Sequence, residues 1–100
     1  MPKLHDLAHC RAGDKGNTST LSLVAYRPDD YFLLAERVTA EAVARHLGGL
    51  VRGPVRRFEL PQLRALQFVC EDALSGGVTT SLALDAHGKS LSSALLEMEI

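Results

Sequence analysis

Tryptophan is absent from this 100-residue chain, and three phenylalanines and two tyrosines are its only aromatics. A core must therefore be built from Leu, Val and Ala. Neither sign of charge dominates: 11 basic side chains face 12 acidic ones, a formal net charge of −1. That balance leaves no electrostatic footprint for nucleic acid or an anionic membrane. The densest basic stretch, Arg52 to Arg57, is broken by Gly53, Pro54 and Val55 and reads as a solvated strand face. Long hydrophobic runs are missing too. Nothing approaches the ~18 apolar residues of a membrane span, and the start, MPKLHDLAHC, has no apolar signal region, so a cytoplasmic protein is expected. Cysteine is scarce: Cys10 and Cys70 stand far apart and form no CxxC, which favours buried free thiols in a reducing compartment. Linkers, repeats and low-complexity segments are absent, so residues 1–100 read as a single domain with no space for separate catalytic and substrate domains.

What is present is a mixed pattern of strands and helices. Leu4 to Arg11 alternates imperfectly as a strand, and Thr20 to Tyr26 alternates better, with Leu21, Leu23 and Ala25 on one face. Asp29 or Asp30 can cap a helix through Tyr31, Leu34 and Ala35. Thr39 is the best cap in the chain, with Glu41 in the first turn and Val38 and Val43 at staple spacing. Ala40, Val43, Ala44 and Leu47 then form an apolar stripe, and Gly48-Gly49 supplies a left-handed stop. Pro54 to Leu60 reads as a strand with its arginines outward. Leu66, Phe68 and Cys70 alternate on a further strand, with Ala65 and Val69 opposite, a pattern that predicts burial on both faces. Ser75-Gly76-Gly77 is a loop, Thr79 to Leu84 a short strand, and Asp85-Ala86-His87-Gly88 a turn. Ser90 opens a final helix carrying Leu91, Ala94, Leu95 and Met98. The order β-β-α-β-β-β-α contains a split β-α-β unit, which predicts an α+β, ferredoxin-like sheet with helices on one face.

One stretch is dense in functional residue types: Arg11-Ala12-Gly13-Asp14-Lys15-Gly16-Asn17, followed by Thr18, Ser19 and Thr20. As a loop, its glycines would adopt positive φ and gather backbone N–H groups into an anion-accepting nest. Arg11 and Lys15 add positive charge and Asn17 a small donor, while Asp14 is the discordant member. The Walker A order is not met, because a strand and not a helix follows. The plainer alternative is a hairpin loop whose Asp14 and Asn17 bond their own backbone.

Other candidates weigh less. His5 and His9 lie in H-D-L-A-H, near the H-E-x-x-H pattern of zinc helices, but as strand positions four apart they stand ~13 Å from each other. No metal and no cofactor are expected. Glu71 and Asp72 are adjacent on a strand and point oppositely, so they make a poor acid–base pair. His46 and His87 fit a helix end and a turn. Cys10, beside Arg11, is either a thiol of lowered pKa or a buried structural one.

The stretch from Leu4 to Asn17 resembles the small C-terminal domain of the AtuA (acyclic terpene utilisation) family, which also occurs free-standing. It matches the string A-H-x-R-x-G-D-K-G-N in full, with Ala12 where Ser is more usual. The likeness continues through the Thr39 to Leu47 helix, Phe58-Glu59-Leu60-Pro61, Gln67-Phe68, Ala73-Leu74 and Leu95 to Ile100. It implies a ferredoxin-like fold and a setting of acyl-CoA or terpenoid breakdown beside biotin carboxylases and hydratases. It implies no catalytic residue.

Three functions compete. The favoured reading is an accessory or binding domain that uses His9, Arg11, Gly13, Asp14, Lys15, Gly16 and Asn17 to contact an anionic ligand or a partner subunit of an acyl-CoA pathway. An alternative is a small lyase- or hydratase-like enzyme acting on an acyl-CoA or hydroxy-acid, with Asp14, Lys15 and His9 as its chemistry. The third is a structural oligomerisation domain. A homo-oligomer, most simply a two-fold dimer, is expected, because strands apolar on both faces have few helices to cover them.

Overall fold

The structure is a computed structural model that describes residues 2–15, 18–73 and 90–100. Among the described residues, besides short 3-10 turns, seven strands and α-helices follow in order: β1 (Ala8–Lys15), β2 (Thr18–Ala25), α1 (Asp30–Arg37), α2 (Ala40–Leu47), β3 (Val55–Leu60), β4 (Ala65–Cys70) and α3 (Ser90–Leu96). The strands form one sheet in the order β1-β2-β4-β3, with every neighbouring pair antiparallel. Both β2 and β3 run opposite to β4, so they are parallel to each other with β4 inserted between them. That is the split β-α-β unit, here spanned by α1 and α2, and the fold is α+β and ferredoxin-like. The expected Thr79 to Leu84 strand, its flanking glycine loop and the Asp85 to Gly88 turn lie outside the described residues.

Sheet alternation decides which side chains meet the helices. Leu21, Leu23, Leu66, Phe68 and Cys70 are fully buried, and the register sets Leu21 opposite Phe68 and Leu23 opposite Leu66. The helices pack on this face, α1 over β2, α2 over β3 and α3 over β1, adding Leu34, Val38, Val43 and Leu95 to one core. On the other face of β4 Ala65 is buried, but Gln67 and Val69 are only half-buried. The expectation that this strand is buried on both faces is therefore corrected: among the described residues the helices cover one side only.

Local chemistry explains the helix ends. The Thr39 hydroxyl accepts from the Ala42 N–H at 3.0 Å, as the sequence predicts. Gly48 follows α2 at φ +50°, a conformation that side chains rarely adopt. Asp29, in contrast, makes no side-chain capping bond to α1. The opposite end of α1 is held by an unexpected group. Arg57 does not face outward: its Nη1 donates to the Ala35 and Val38 carbonyls at 2.7 and 3.0 Å, and Nη2 meets Glu59 at 2.7 Å. The last carbonyls of a helix lack intrahelical partners, and a planar guanidinium can take two at once. Arg56, on the other face, is exposed and pairs with Glu71 at 2.9 Å.

The N-terminal strand also begins later than expected. Leu4–Asp6 forms a short 3-10 turn, closed by Asp6 N–H to Lys3 O and Leu7 N–H to Leu4 O at 2.9 and 3.0 Å. The turn ties the two ends of the chain together. Leu4 is fully buried, its N–H donates to Met98 O at 2.8 Å, and Lys3 Nζ meets Glu97 at 2.7 Å.

Two substitutions test this packing. Phe68→Ala should cost ~3–5 kcal/mol, the range for a fully buried ring, read as a shifted urea midpoint with secondary structure retained in dilute buffer. Gly53→Ala should also destabilise strongly, because an added Cβ would stand 2.6 Å from the Glu71 carbonyl oxygen. A Gly53→Ala protein that melts with the parent would contradict that close approach.

Candidate functional site

Most of the stretch expected to be a loop is strand. Arg11 to Lys15 continue β1 and pair with Ser22 to Thr18, so the two strands are joined through residues 16 and 17. The partner segment drives the pairing. Thr18, Ser19 and Thr20 favour extended backbone, and the Ser19 and Thr20 hydroxyls both donate to Gly13 O, at 3.2 and 3.4 Å. Gly13 is consequently not at positive φ. Its need for glycine is one of space, since an added Cβ would lie 3.1 Å from Thr20 Oγ1. Of the seven residues singled out by sequence, His9, Arg11 and Gly13 share one face of β1, away from the helices. Asp14 and Lys15 end the strand opposite Ser19 and Thr18. Gly16 and Asn17 lie outside the described residues.

The hydrogen-bond parity shows what β1 offers along its length. Tyr26 donates to Leu7 O at 2.9 Å, one register step beyond the Ala8–Ala25 pair. Narrow and wide pairs alternate in an antiparallel ladder, so His9, Arg11 and Gly13 exchange bonds with β2. The backbone groups of Ala8, Cys10, Ala12 and Asp14 point away from it. Since β1 is the last strand of the sheet, this edge is unpaired among the described residues. Beside it lies a cavity of about 470 Å³ lined by His9, Cys10, Arg11 and Ala12.

Each lining side chain contributes differently. The His9 ring packs against Tyr26, with centroids 5.6 Å apart and planes at 34°. Arg11 is exposed, and its guanidinium makes no hydrogen bond or ion pair among the described residues. Cys10 turns to the core side, where burial, with a smaller contribution from Cys70, pushes its thiol up to about 12. It is therefore the structural thiol of the two sequence alternatives and not an activated one. Both cysteines are free. Together the edge presents a guanidinium, outward N–H and C=O groups and an aromatic pair, which suits an anion or an extended polar backbone. Among the described residues no three His, Cys, Asp or Glu side chains group to hold a metal, and no helix is long and apolar enough to cross a membrane. Sequence reasoning missed the outward backbone of Cys10 and Ala12 and the partnership of Tyr26 with His9. Only the strand register reveals the first, while the alternation of Val24 and Tyr26 hinted at the second.

The thiols make stability depend on pH. Burial raises Cys10 from 9.0 to about 12 and Cys70 from 9.0 to about 11. Burial also raises Tyr31, whose hydroxyl has no hydrogen-bond partner among the described residues. The unfolded chain releases these protons at lower pH than the folded one, so stability is full below about pH 9 and falls as pH rises toward 11–12. Urea titrations at pH 8 and 10.5 should show the loss, and Cys10→Ala should lessen it. A midpoint unchanged across that window would contradict the burial of both thiols.

No curated protein and no solved structure matches this chain. A family model does match, over residues 2–100. With the split β-α-β sheet and an intact A-H-x-R-x-G-D-K-G-N string that begins on its first strand, the chain belongs to the AtuA ferredoxin-like domain family.

Proposed function

We propose that this protein is a binding, accessory domain in which the β1 edge and the hairpin end at Asp14 to Asn17 receive an anionic ligand or a partner subunit. The reading draws on one observation above the rest: among the described residues, an exposed Arg11 without a partner borders a cavity lined by four consecutive residues of a strand whose outer edge no described strand pairs. An exposed guanidinium beside outward backbone N–H groups can grip carboxylate or phosphate oxygens two at a time, whereas Lys15 would act as a point charge. An extended segment of a partner would use the same edge differently, by adding a strand. The family's name points to acyclic terpene utilisation, and an acyl-CoA pathway supplies both kinds of partner, a phosphorylated thioester and the enzyme subunits that carry it.

The test is a thermal-shift screen with coenzyme A, short acyl-CoA esters, inorganic phosphate and simple carboxylates. A ligand at 100 times its dissociation constant should add ~2.7 kcal/mol. Arg11→Ala and Lys15→Ala should abolish the shift, and Arg27→Ala, which removes an exposed charge beyond the far end of β2, should keep it. Lys3 is a poor control because it pairs with Glu97. No shift with any compound, or equal loss in Arg27→Ala, would remove the anion-binding reading.

A further inference from the structure

We propose that the sheet face away from the helices is the interface of a two-fold homodimer, with the symmetry axis running along the strands between β2 and β4. The inference goes beyond the ligand reading and shares Arg11 with it; association is read without ligand, so the two readings can fail separately. Across the middle of this face the register aligns Arg11, Ser22, Gln67 and Phe58 on successive strands. Phe58 is 49% exposed at one border, and Arg11 is exposed at the other. Val24 and Val69 lie half-buried on either side of the central polar pair. Among the described residues no helix packs here.

Size and charge select a second copy. Four strands spaced ~4.8 Å apart, each giving about six residues at ~3.4 Å, make a patch of roughly 400 Å² in projection. A second sheet of the same dimensions covers it edge to edge, about 800 Å² over both partners in projection, the size of a weak, transient interface, so a dissociation constant no tighter than micromolar is expected. Arg56 is already neutralised by Glu71. Arg11 is therefore the charge without an opposite partner among the described side chains of the face.

The position of Arg11 decides the axis. A two-fold axis across the strands would set Arg11 over the partner's Arg11, two like charges in a poorly solvated layer. An axis along the strands exchanges the borders, so that β1 faces the partner's β3 and β2 faces the partner's β4. Arg11 then lies over the partner's Phe58 twice per dimer, the geometry of a cation–π contact. Ser22 meets the partner's Gln67 at the centre, and the two sheets stack ~10 Å apart with their mean strand directions parallel to the axis.

Light scattering at graded concentration tests the proposal. The parent at about 100 μM, well above a micromolar dissociation constant, should have twice the mass of the 10.8 kDa chain and should approach the monomer on dilution. Phe58→Lys sets two cations face to face and should give a monomer with unchanged circular dichroism. Adding Arg11→Glu to Phe58→Lys should restore the dimer through the new opposite-charge pair. Phe32→Lys, at a helix residue that is 74% exposed, should dimerise like the parent. A monomeric parent, a dimer that survives Phe58→Lys, a double variant that stays monomeric, or dissociation by Phe32→Lys would each overturn the proposal.

Discussion

The pairing of β2 with β4 is the constraint on which the other elements depend. Leu21 opposite Phe68 and Leu23 opposite Leu66 are all fully buried. Each such side chain is worth about 1.5–3 kcal/mol relative to exposure. Because side chains alternate strictly along a strand, a slip of one residue by either strand would turn its buried pair to the outer face. The pair therefore holds its register, and its neighbours inherit it. β1 is placed by β2, β3 by β4, and the helices close over the one face that this alternation makes apolar. The same alternation puts Thr20, Ser22, Gln67 and Val69 on the opposite face, and with them His9, Arg11 and Gly13. The open face and the candidate site are thus two consequences of a single core register.

The two edges of the sheet are treated differently. At β3, Arg57 reaches to the helix side and takes the terminal carbonyls of α1, which ties the edge strand to the layer above it. At β1 the outward backbone of Ala8 to Asp14 meets no partner among the described residues, although α3 packs on the strand's core side. Unpaired edges are reactive surfaces that folded proteins usually blunt. Here the edge carries Arg11 and runs into the Asp14-Lys15-Gly16-Asn17 segment. A rigid strand end held by a buried register can offer binding groups with little ordering cost, which a ten-residue loop cannot.

Helix α2 was legible in the sequence because its signals are local: a cap, a stripe and a glycine within ten residues of one another. The alternation of Leu21, Leu23 and Ala25 was equally local, and the split β-α-β order followed from reading such elements in sequence. The candidate site was legible as a set of residue types but not as a shape. Gly13, Asp14 and Lys15 carry loop-like propensities, yet Ser19 and Thr20 across the hairpin draw them into the ladder, and no single segment records that cross-strand demand. The first strand was placed too early for a related reason. Leu4 suits a strand, but its burial and its bond to Met98 belong to the turn that joins the two ends of the chain.

By itself, the sequence determined the type of α2, β2 and β4, the α+β class and the set of residue types gathered in the candidate stretch. These depend on periodicity, capping and turn chemistry within a few residues. Only the tertiary structure decided that Arg57 turns inward, that Cys10 is an inert buried thiol, and that β4 is covered on one face among the described residues. It alone gave the backbone of Cys10 and Ala12 its outward aim. Each of those outcomes is set by which strand or helix stands beside a residue, and pairing between distant segments is energetically decisive but leaves no local mark on either one.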